Sequence, residues 1–137
     1  MKLFLKKNIC FLLLLLITAC GQSVGVVGRT PDCERFLKEL GWECGVLVEM
    51  AEVDLPAEGE AVYKEYNALQ LENGYDLKGF GGRRVTRYTY EIKNHPRAQG
   101  RQVLANILIN EDKIIGGDIM VTAIDGFMHG LCPYPGG

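Results

Sequence analysis

The feature that most constrains the fold is a change in hydrophobic period near Gly82, from the 3.6 residues of a helix to the two residues of a strand. Two sets of alternate residues would then occupy opposite faces of one strand: Thr86, Tyr88, Tyr90 and Ile92 against Arg87, Thr89, Glu91 and Lys93. This pattern predicts an antiparallel strand with one face in water. Residues 103–109 and 114–124 are two further strands around a tight turn at 110–113, so we expect a three-strand meander.

The segment before this meander predicts a short helix followed by a strand. Thr30-Pro31 has the composition of a helix start, and Gly41 that of a left-handed C-terminal cap. Between them, four residues recur at helical spacing and would form one apolar face: Cys33, Phe36, Leu37 and Leu40. Residues 42–53, in which Cys44, Val46 and Val48 alternate, predict a strand that ends before Pro56.

Residues 58–73 predict a second helix, with Gly74 as its stop and with Val62, Tyr66 and Leu69 on one face. The order of elements predicts an α+β domain over residues 30–137, with two helices packed on an antiparallel sheet of about four strands. Four tyrosines are expected in the core between helix and sheet, with their hydroxyls at its edge: Tyr63, Tyr66, Tyr88 and Tyr90.

The first 19 residues have the pattern of a secretory signal peptide. Residues 1–8 contain three lysines and no acidic residue, residues 9–17 are almost entirely apolar, and small Thr18 and Ala19 precede Cys20. The apolar run is shorter than the ~20 residues that a membrane-spanning helix needs. We therefore expect this segment to be removed rather than to span a membrane.

The end of this segment, Ile17-Thr18-Ala19-Cys20, resembles the lipobox of bacterial lipoproteins. In such proteins a diacylglycerol is attached to the cysteine thiol, and the chain is cut just before that cysteine. The resemblance implies that Cys20 carries the lipid, with residues 20–29 as a flexible tether. Two acyl chains are enough for stable anchoring.

The net charge excludes one class of partner. Three of the 15 basic residues belong to the signal segment, which leaves 12 against 17 acidic residues, a net charge of about −5. A mildly acidic domain offers no basic stripe, so we expect no nucleic acid as partner. The expected partners are the membrane, through diacylglyceryl Cys20, and an envelope protein or small ligand.

Three cysteines remain in the mature chain outside the anchor: Cys33, Cys44 and Cys132. Disulfides are permitted outside the cytoplasm. Cys33 lies on the apolar face of the first helix and Cys44 just beyond its end, so these two form the candidate disulfide. In the alternative, all three are buried free thiols.

The residues that could carry chemistry are few. Ser23 is the one serine of the mature chain and lies in the tether, and the two histidines, His95 and His129, are expected in surface loops. We find no catalytic constellation and no set of metal ligands, and expect no cofactor. Asp118 stands in an otherwise apolar strand. It is either a site residue or a carboxylate that faces solvent or bonds backbone beside a bulge at Gly116-Gly117.

Several segments together resemble the domain of unknown function 4830 family: Glu65-Tyr66-Asn67-Ala68-Leu69-Gln70, Gly74-Tyr75-Asp76-Leu77, Gly82, Val85-Thr86-Arg87-Tyr88-Thr89-Tyr90 and Ile114-Ile115-Gly116-Gly117-Asp118. The likeness runs from about Phe36 to Gly130. This family contains small, often lipid-anchored proteins, mainly of Gram-positive anaerobes. The resemblance implies the outer face of the cytoplasmic membrane and carries no catalytic residue. Our candidate binding residues are Asp118, Tyr88, Asn67 and Gln70.

These observations favour a non-enzymatic envelope module that binds a protein or small ligand. Two alternatives stay open at this point. One is an enzyme, or an enzyme accessory, that acts on an envelope substrate through Asp118, Tyr88 or Cys132. The other is a structural subunit of a larger membrane assembly.

Overall fold

The computed structural model describes residues 31–132. The predicted signal peptide, the lipidation site Cys20 and the tether lie outside these residues. The elements in chain order are α1 (Cys33–Glu39), β1 (Cys44–Asp54), α2 (Ala61–Glu72), β2 (Arg84–Ile92), β3 (Gln102–Asn110), β4 (Lys113–Thr122) and β5 (Phe127–His129). The strands form one antiparallel sheet in the order β1-β2-β3-β4-β5. The predicted α+β class, with two helices and a C-terminal meander, is confirmed.

The fifth strand is the main addition to the predicted sheet. β4 ends at Thr122, whereas the prediction continued to residue 124, and a turn closed by the Gly126 N–H on the Ala123 carbonyl follows. β5 then pairs with residues 119–121. Three residues are too few for a period of two to be visible, so this strand has no recognisable pattern in the sequence.

The first helix begins two residues later than predicted. The Asp32 side chain accepts the Arg35 N–H at 3.0 Å and caps the helix, and Pro31 precedes it outside the helix. The predicted cap Thr30 lies outside the described residues. At the other end Gly41 has φ +97°, the left-handed conformation that we predicted for it. Cys33 and Leu37 are buried, which confirms the centre of the predicted apolar face.

The second helix buries only part of the predicted face. Tyr66 packs against the core as predicted, but Val62 is 54% exposed, and the buried positions are Tyr63 and Gln70. The prediction was wrong for Val62 and missed Gln70 because hydrophobic periodicity counts only apolar residues, and here a glutamine occupies a core position. Gly74 has φ +82° and follows the helix end as predicted.

Strand β1 forms one edge of the sheet and is more exposed than an alternating core strand would be. Within residues 31–132 it pairs only with β2, and the register shifts twice between Cys44 and Glu49. Val46 and Val48 are exposed, although the alternation suggested a regular half-buried strand. An edge strand has no neighbour on its outer side, so these side chains remain uncovered.

Each of the two helices packs on a different face of the sheet. In the register, Tyr88, Ile107 and Gly117 lie in one cross-strand row, and Thr89, Asn106 and Asp118 lie in the next. We call the face that carries Tyr88 and Ile107 the first face and the face that carries Thr89, Asn106 and Asp118 the second face. The buried residues of α1 pack with the first face, and those of α2 with the second.

This arrangement corrects two expectations. The four tyrosines do not form one core, because Tyr88 and Tyr90 pack on the first face and Tyr63 and Tyr66 on the second. The face of β2 that we predicted to lie in water is the second face, and α2 covers part of it. Thr89 on this face is only 4% exposed.

Candidate functional site

A chain of hydrogen bonds crosses the second face and ends on α2. The Thr89 hydroxyl lies 2.7 Å from Asn106 Oδ1 and donates to it. Asn106 Nδ2 donates to Asp118 Oδ1 at 3.0 Å, and the Tyr66 hydroxyl donates to Asp118 Oδ2 at 2.6 Å. The antiparallel register makes the three strand residues direct neighbours. A polar row therefore lies within an otherwise apolar sheet.

Asp118 is the buried acid of this row, with 3% exposure. Burial raises the pKa of its carboxyl above the ordinary value, and the hydrogen bonds from Tyr66 and Asn106 and the charge of Arg87 oppose that rise. Burial and the neighbouring carboxylate raise the pKa of Tyr66, which therefore remains a proton donor. The alternative in which Asp118 faces solvent or bonds backbone is wrong.

Gln70 joins α2 to the glycine pair of β4. Its Oε1 accepts the Gly117 N–H at 2.8 Å. The described pairing of β5 with β4 covers residues 119–121 and does not reach Gly117. Gln70 therefore supplies the acceptor for the Gly117 N–H in place of a neighbouring strand. A Cβ on Gly116 would lie 2.5 Å from Gln70 Oε1, which explains the glycine there. The predicted bulge lies at Ile115, just before the glycine pair.

Asn67 holds the turn that follows α2. Its Oδ1 accepts the Leu77 N–H at 2.8 Å, and its Nδ2 donates to Asp76 Oδ1 at 3.0 Å. Tyr88, the fourth candidate binding residue, lies on the first face, opposite Asp118. The structure therefore brings Asp118 and Gln70 to one contact between α2 and β4, and places Asn67 and Tyr88 outside it.

Beside α2 the second face is open and forms a cleft. Two adjoining cavities of about 410 and 310 Å³ share Arg87, Asn106 and Met120 as lining residues. The smaller cavity extends to Tyr66 and Asp118 on the α2 side. Further apolar side chains line the two cavities: Val48, Leu104, Leu108 and Met128. Hereafter "the cleft" means these two cavities together, which reach the size of ordinary small-ligand sites.

Arg87 lies at the centre of the cleft and is only partly hydrogen-bonded. One of its terminal nitrogens, Nη2, donates to Glu49 Oε2 at 2.5 Å. Its Nε is shielded from solvent and makes no hydrogen bond within residues 31–132. Its charge opposes the rise in the pKa values of both Tyr66 and Asp118, so the guanidinium lies beside the polar row.

We did not predict Arg87, Thr89 or Asn106 as site residues. Arg87 and Thr89 had the pattern of a solvated strand face, and Asn106 interrupts an apolar strand that could be recognised without it. Only the register of three strands places these residues together. The available signal was a polar residue inside an apolar strand. We used this signal for Asp118 in β4 but not for Asn106 in β3.

A larger cavity of about 590 Å³ lies between α1 and the start of β1. Its charged lining belongs to exposed side chains, among them Glu34, Lys38 and Glu43. In the described part of the chain, the two buried side-chain atoms without a hydrogen bond belong to Arg87 and Gln70, and neither residue lines this cavity. We therefore regard the cleft on the second face as the candidate site.

The two histidines form a buried pair, so their expected place in surface loops is wrong. His95 Nε2 lies 2.9 Å from His129 Nε2, and Trp42 stacks on His95. The Arg97 N–H donates to His95 Nδ1, and His129 Nδ1 contacts the Gly130 carbonyl oxygen at 2.7 Å. Both rings are therefore neutral, with His95 donating to His129. Burial lowers both pKa values, and nearby arginines lower that of His95 further.

The three described cysteines are free thiols, with Cys33 buried, Cys44 partly buried and Cys132 exposed. Cys33 and Cys44 belong to the same apolar cluster. Burial, with smaller effects from Asp32 and Cys44, raises the pKa of Cys33 to about 11. The disulfide between Cys33 and Cys44 stays a prediction.

The described residues also bear on metal binding and membrane insertion. Within residues 31–132, no three side chains of His, Cys, Asp or Glu lie together so as to hold a metal ion. None of the described helices has the length and apolar character needed to cross a membrane.

Comparison with known proteins gives one match. The sequence model of a family described as domain of unknown function (DUF4830) matches residues 36–119. No curated protein and no solved structure matches the chain. The matched range includes all of α2 and the glycine pair of β4. The contact between Gln70 and Gly117 and the contact between Tyr66 and Asp118 therefore lie inside the matched region.

Proposed function

The chain belongs to the DUF4830 family, and from that premise we propose that it is a membrane-anchored bacterial lipoprotein whose domain binds a small ligand outside the cytoplasm. The observation that carries the binding role is the cleft on the second face. It joins an incompletely bonded guanidinium, Arg87, to a buried polar row and to adaptable apolar side chains. A concave apolar site with a few convergent polar groups is the usual form of a small-ligand site.

The anchor is supported by the sequence of residues 1–20. A basic start, a short apolar core and a lipobox-like end at Cys20 are together typical of a lipoprotein signal. We propose the outer face of the cytoplasmic membrane as its location. Cys20→Ala should move the protein from the detergent phase to the aqueous phase on phase separation. Unchanged partitioning would refute the anchor.

The methionines offer a direct test of binding. Met120 and Met128 line the cleft, whereas Met50 pairs with Tyr88 on the first face and is an internal control. We would label the methionine methyl groups with ¹³C in the lipidated protein, place it in nanodiscs, and add mixtures of small polar and amphipathic compounds. Binding in the cleft should shift the Met120 and Met128 signals and leave Met50 unchanged. If every compound shifts all three equally or none, the binding role is wrong.

An enzymatic role has one observation in its favour, the buried Asp118 carboxyl with its raised pKa. The other groups named for such a role lie elsewhere. Tyr88 is on the first face, and the backbone of Cys132 binds Asn73 beyond α2. Both oxygens of Asp118 already accept hydrogen bonds from protein donors. We therefore place ligand binding ahead of catalysis.

A structural role in a membrane assembly is favoured by edge strand β1. Four of its apolar side chains are exposed: Val46, Leu47, Val48 and Met50. Exposed apolar surface of this kind is typical of protein contacts. Cross-linking in cells, followed by identification of captured proteins, tests this second candidate. One dominant partner, lost when Val46 and Met50 are replaced by Lys, would support it.

A further inference from the structure

The charges around the cleft restrict the ligand class. Arg87 is the one basic residue among its lining residues in the described chain, and Glu49, Asp54 and Asp118 are acidic. Asp54 is paired with Arg84, and both oxygens of Asp118 accept internal hydrogen bonds. The pair formed by Arg87 and Glu49 is therefore the charged element that a ligand can engage.

This pair is exposed enough to open. The Glu49 side chain is 53% exposed and the Arg87 side chain 33% exposed. A partly exposed ion pair gains little from its mutual attraction, so a ligand can separate its members at small cost. The guanidinium gains from a new acceptor, because it presents five N–H donors and its Nε makes no hydrogen bond.

A ligand with a single charge would be attracted by one member of the pair and repelled by the other. A carboxylate on the unbonded Nε of Arg87 would lie near the like charge of Glu49, and an ammonium on Glu49 would lie near the like charge of Arg87. A compound that carries both groups on adjacent atoms satisfies both members at once. An α-amino acid has this arrangement, whereas the two charged ends of a peptide are separated by its whole length.

The rest of the cleft suits an apolar side chain. Val48 and Leu104 line it beside the ion pair, and Met120 and Met128 line the α2 side. Methionine side chains are flexible and polarisable, so they adapt to chains of different shape. A charged or strongly polar side chain would find no uncommitted partner among these residues.

We propose that the cleft binds a free α-amino acid with an apolar side chain, its carboxylate on Arg87 and its ammonium on Glu49. This inference rests on the binding function proposed above. Leucine is the probe of choice, with two analogues that each lack one charge. 4-Methylpentanoate has no ammonium, and 3-methylbutylamine has no carboxylate.

The test measures leucine binding to the lipidated protein in nanodiscs by the methionine methyl signals and by calorimetry. We expect leucine to shift Met120 and Met128 but not Met50, and each analogue to bind about tenfold or more weakly, because each loses a charge-assisted contact. Arg87→Gln and Glu49→Gln should weaken leucine binding by about tenfold or more. Lys113→Gln and Glu52→Gln, which change exposed charged residues of the sheet outside the cleft lining, should leave it unchanged.

The outcomes separate the ligand class from the binding role. If 4-methylpentanoate or 3-methylbutylamine binds as tightly as leucine, the proposal that the ligand needs both charges is wrong, although the cleft still binds ligands. If leucine does not bind while other compounds shift Met120 and Met128, the proposed ligand class is wrong and the binding role stands. If no compound shifts these signals, both are wrong. The analogue series uses the unaltered protein, so the test does not depend on whether a variant folds.

Discussion

Removing the Tyr66 hydroxyl should destabilise the domain through one contact. This hydroxyl donates to Asp118 Oδ2 at 2.6 Å, inside a region where neither group can bind water freely. A hydrogen bond to a charged acceptor contributes about 1.5–3 kcal/mol. We expect Tyr66→Phe to lower the free energy of unfolding by about 2 kcal/mol at pH 7. For a domain of this size, the melting temperature would fall on the order of 10 °C.

Asp118→Asn provides the second side of a double-mutant cycle. It keeps the shape of the side chain but removes the charge that strengthens the bond from Tyr66. The two substitutions together should cost less than the sum of their separate effects, with a coupling of about 1–2 kcal/mol. Tyr88→Phe is the matched control, because the structure gives that hydroxyl no hydrogen bond within the described residues. Its effect should stay within about 0.5 kcal/mol.

Urea unfolding of the detergent-solubilised protein supplies the free energies. Trp42 is the single tryptophan of the chain and is buried, so its fluorescence reports unfolding. The raised pKa of Asp118 also predicts the direction in which stability changes with pH. The folded state holds this proton to higher pH than the unfolded state, so the contribution of Asp118 falls as pH rises above about 3.8. The stability of Asp118→Asn relative to the unaltered protein should therefore increase between pH 4 and 7.

Two results would refute this reasoning. If Tyr66→Phe costs no more than Tyr88→Phe, the hydroxyl does not support α2. If the cycle is additive within about 0.3 kcal/mol, the two side chains do not interact in solution.

Three further predictions concern other parts of the domain. Because burial lowers the pKa of His95, the unfolded state takes up more protons, and stability should fall as the pH is lowered through about 6.5; urea midpoints of Asp118→Asn from pH 7.5 to 5, free of the opposite contribution of that carboxyl, should show this slope, and a flat profile would contradict it. Gly116→Ala should cost about 1–3 kcal/mol, because its Cβ would lie 2.5 Å from a buried amide oxygen, whereas Gly59→Ala, with open space around it, should be near neutral in the same unfolding assay. In the reduced protein, thiol labelling followed by mass spectrometry should modify Cys132 first and Cys33 last, since burial raises the Cys33 pKa to about 11; equal rates would exclude this environment.

The helices and three of the five strands could be predicted from periodicity, because each is long enough to show its repeat. β1 was also predicted, but its exposure was not, since exposure depends on having no neighbour on one side. The buried face of α2 was predicted only in part, through Tyr66, because a polar residue, Gln70, occupies a core position. Its partner is a backbone N–H 47 residues away.

The candidate site could be predicted only in part. Asp118 was recognisable as an acid within an apolar strand, but its neighbours Thr89 and Asn106 come from strands whose mutual register the sequence does not specify. The pairing of His95 with His129 depends in the same way on a contact across 34 residues. Local patterns determine elements, whereas sites of this kind depend on which elements meet.

The meander and the contact of α2 with β4 also imply an order of folding. Each of β2 to β5 pairs with its neighbour in sequence, so successive hairpins can form with short loops and little loss of chain entropy. α2 can dock through Gln70 only after β4 is in place, because Gly117 supplies the contact. The helix would then become ordered after β4 and open before it. Amide hydrogen exchange should therefore be faster in α2 than in β3, at the centre of the sheet.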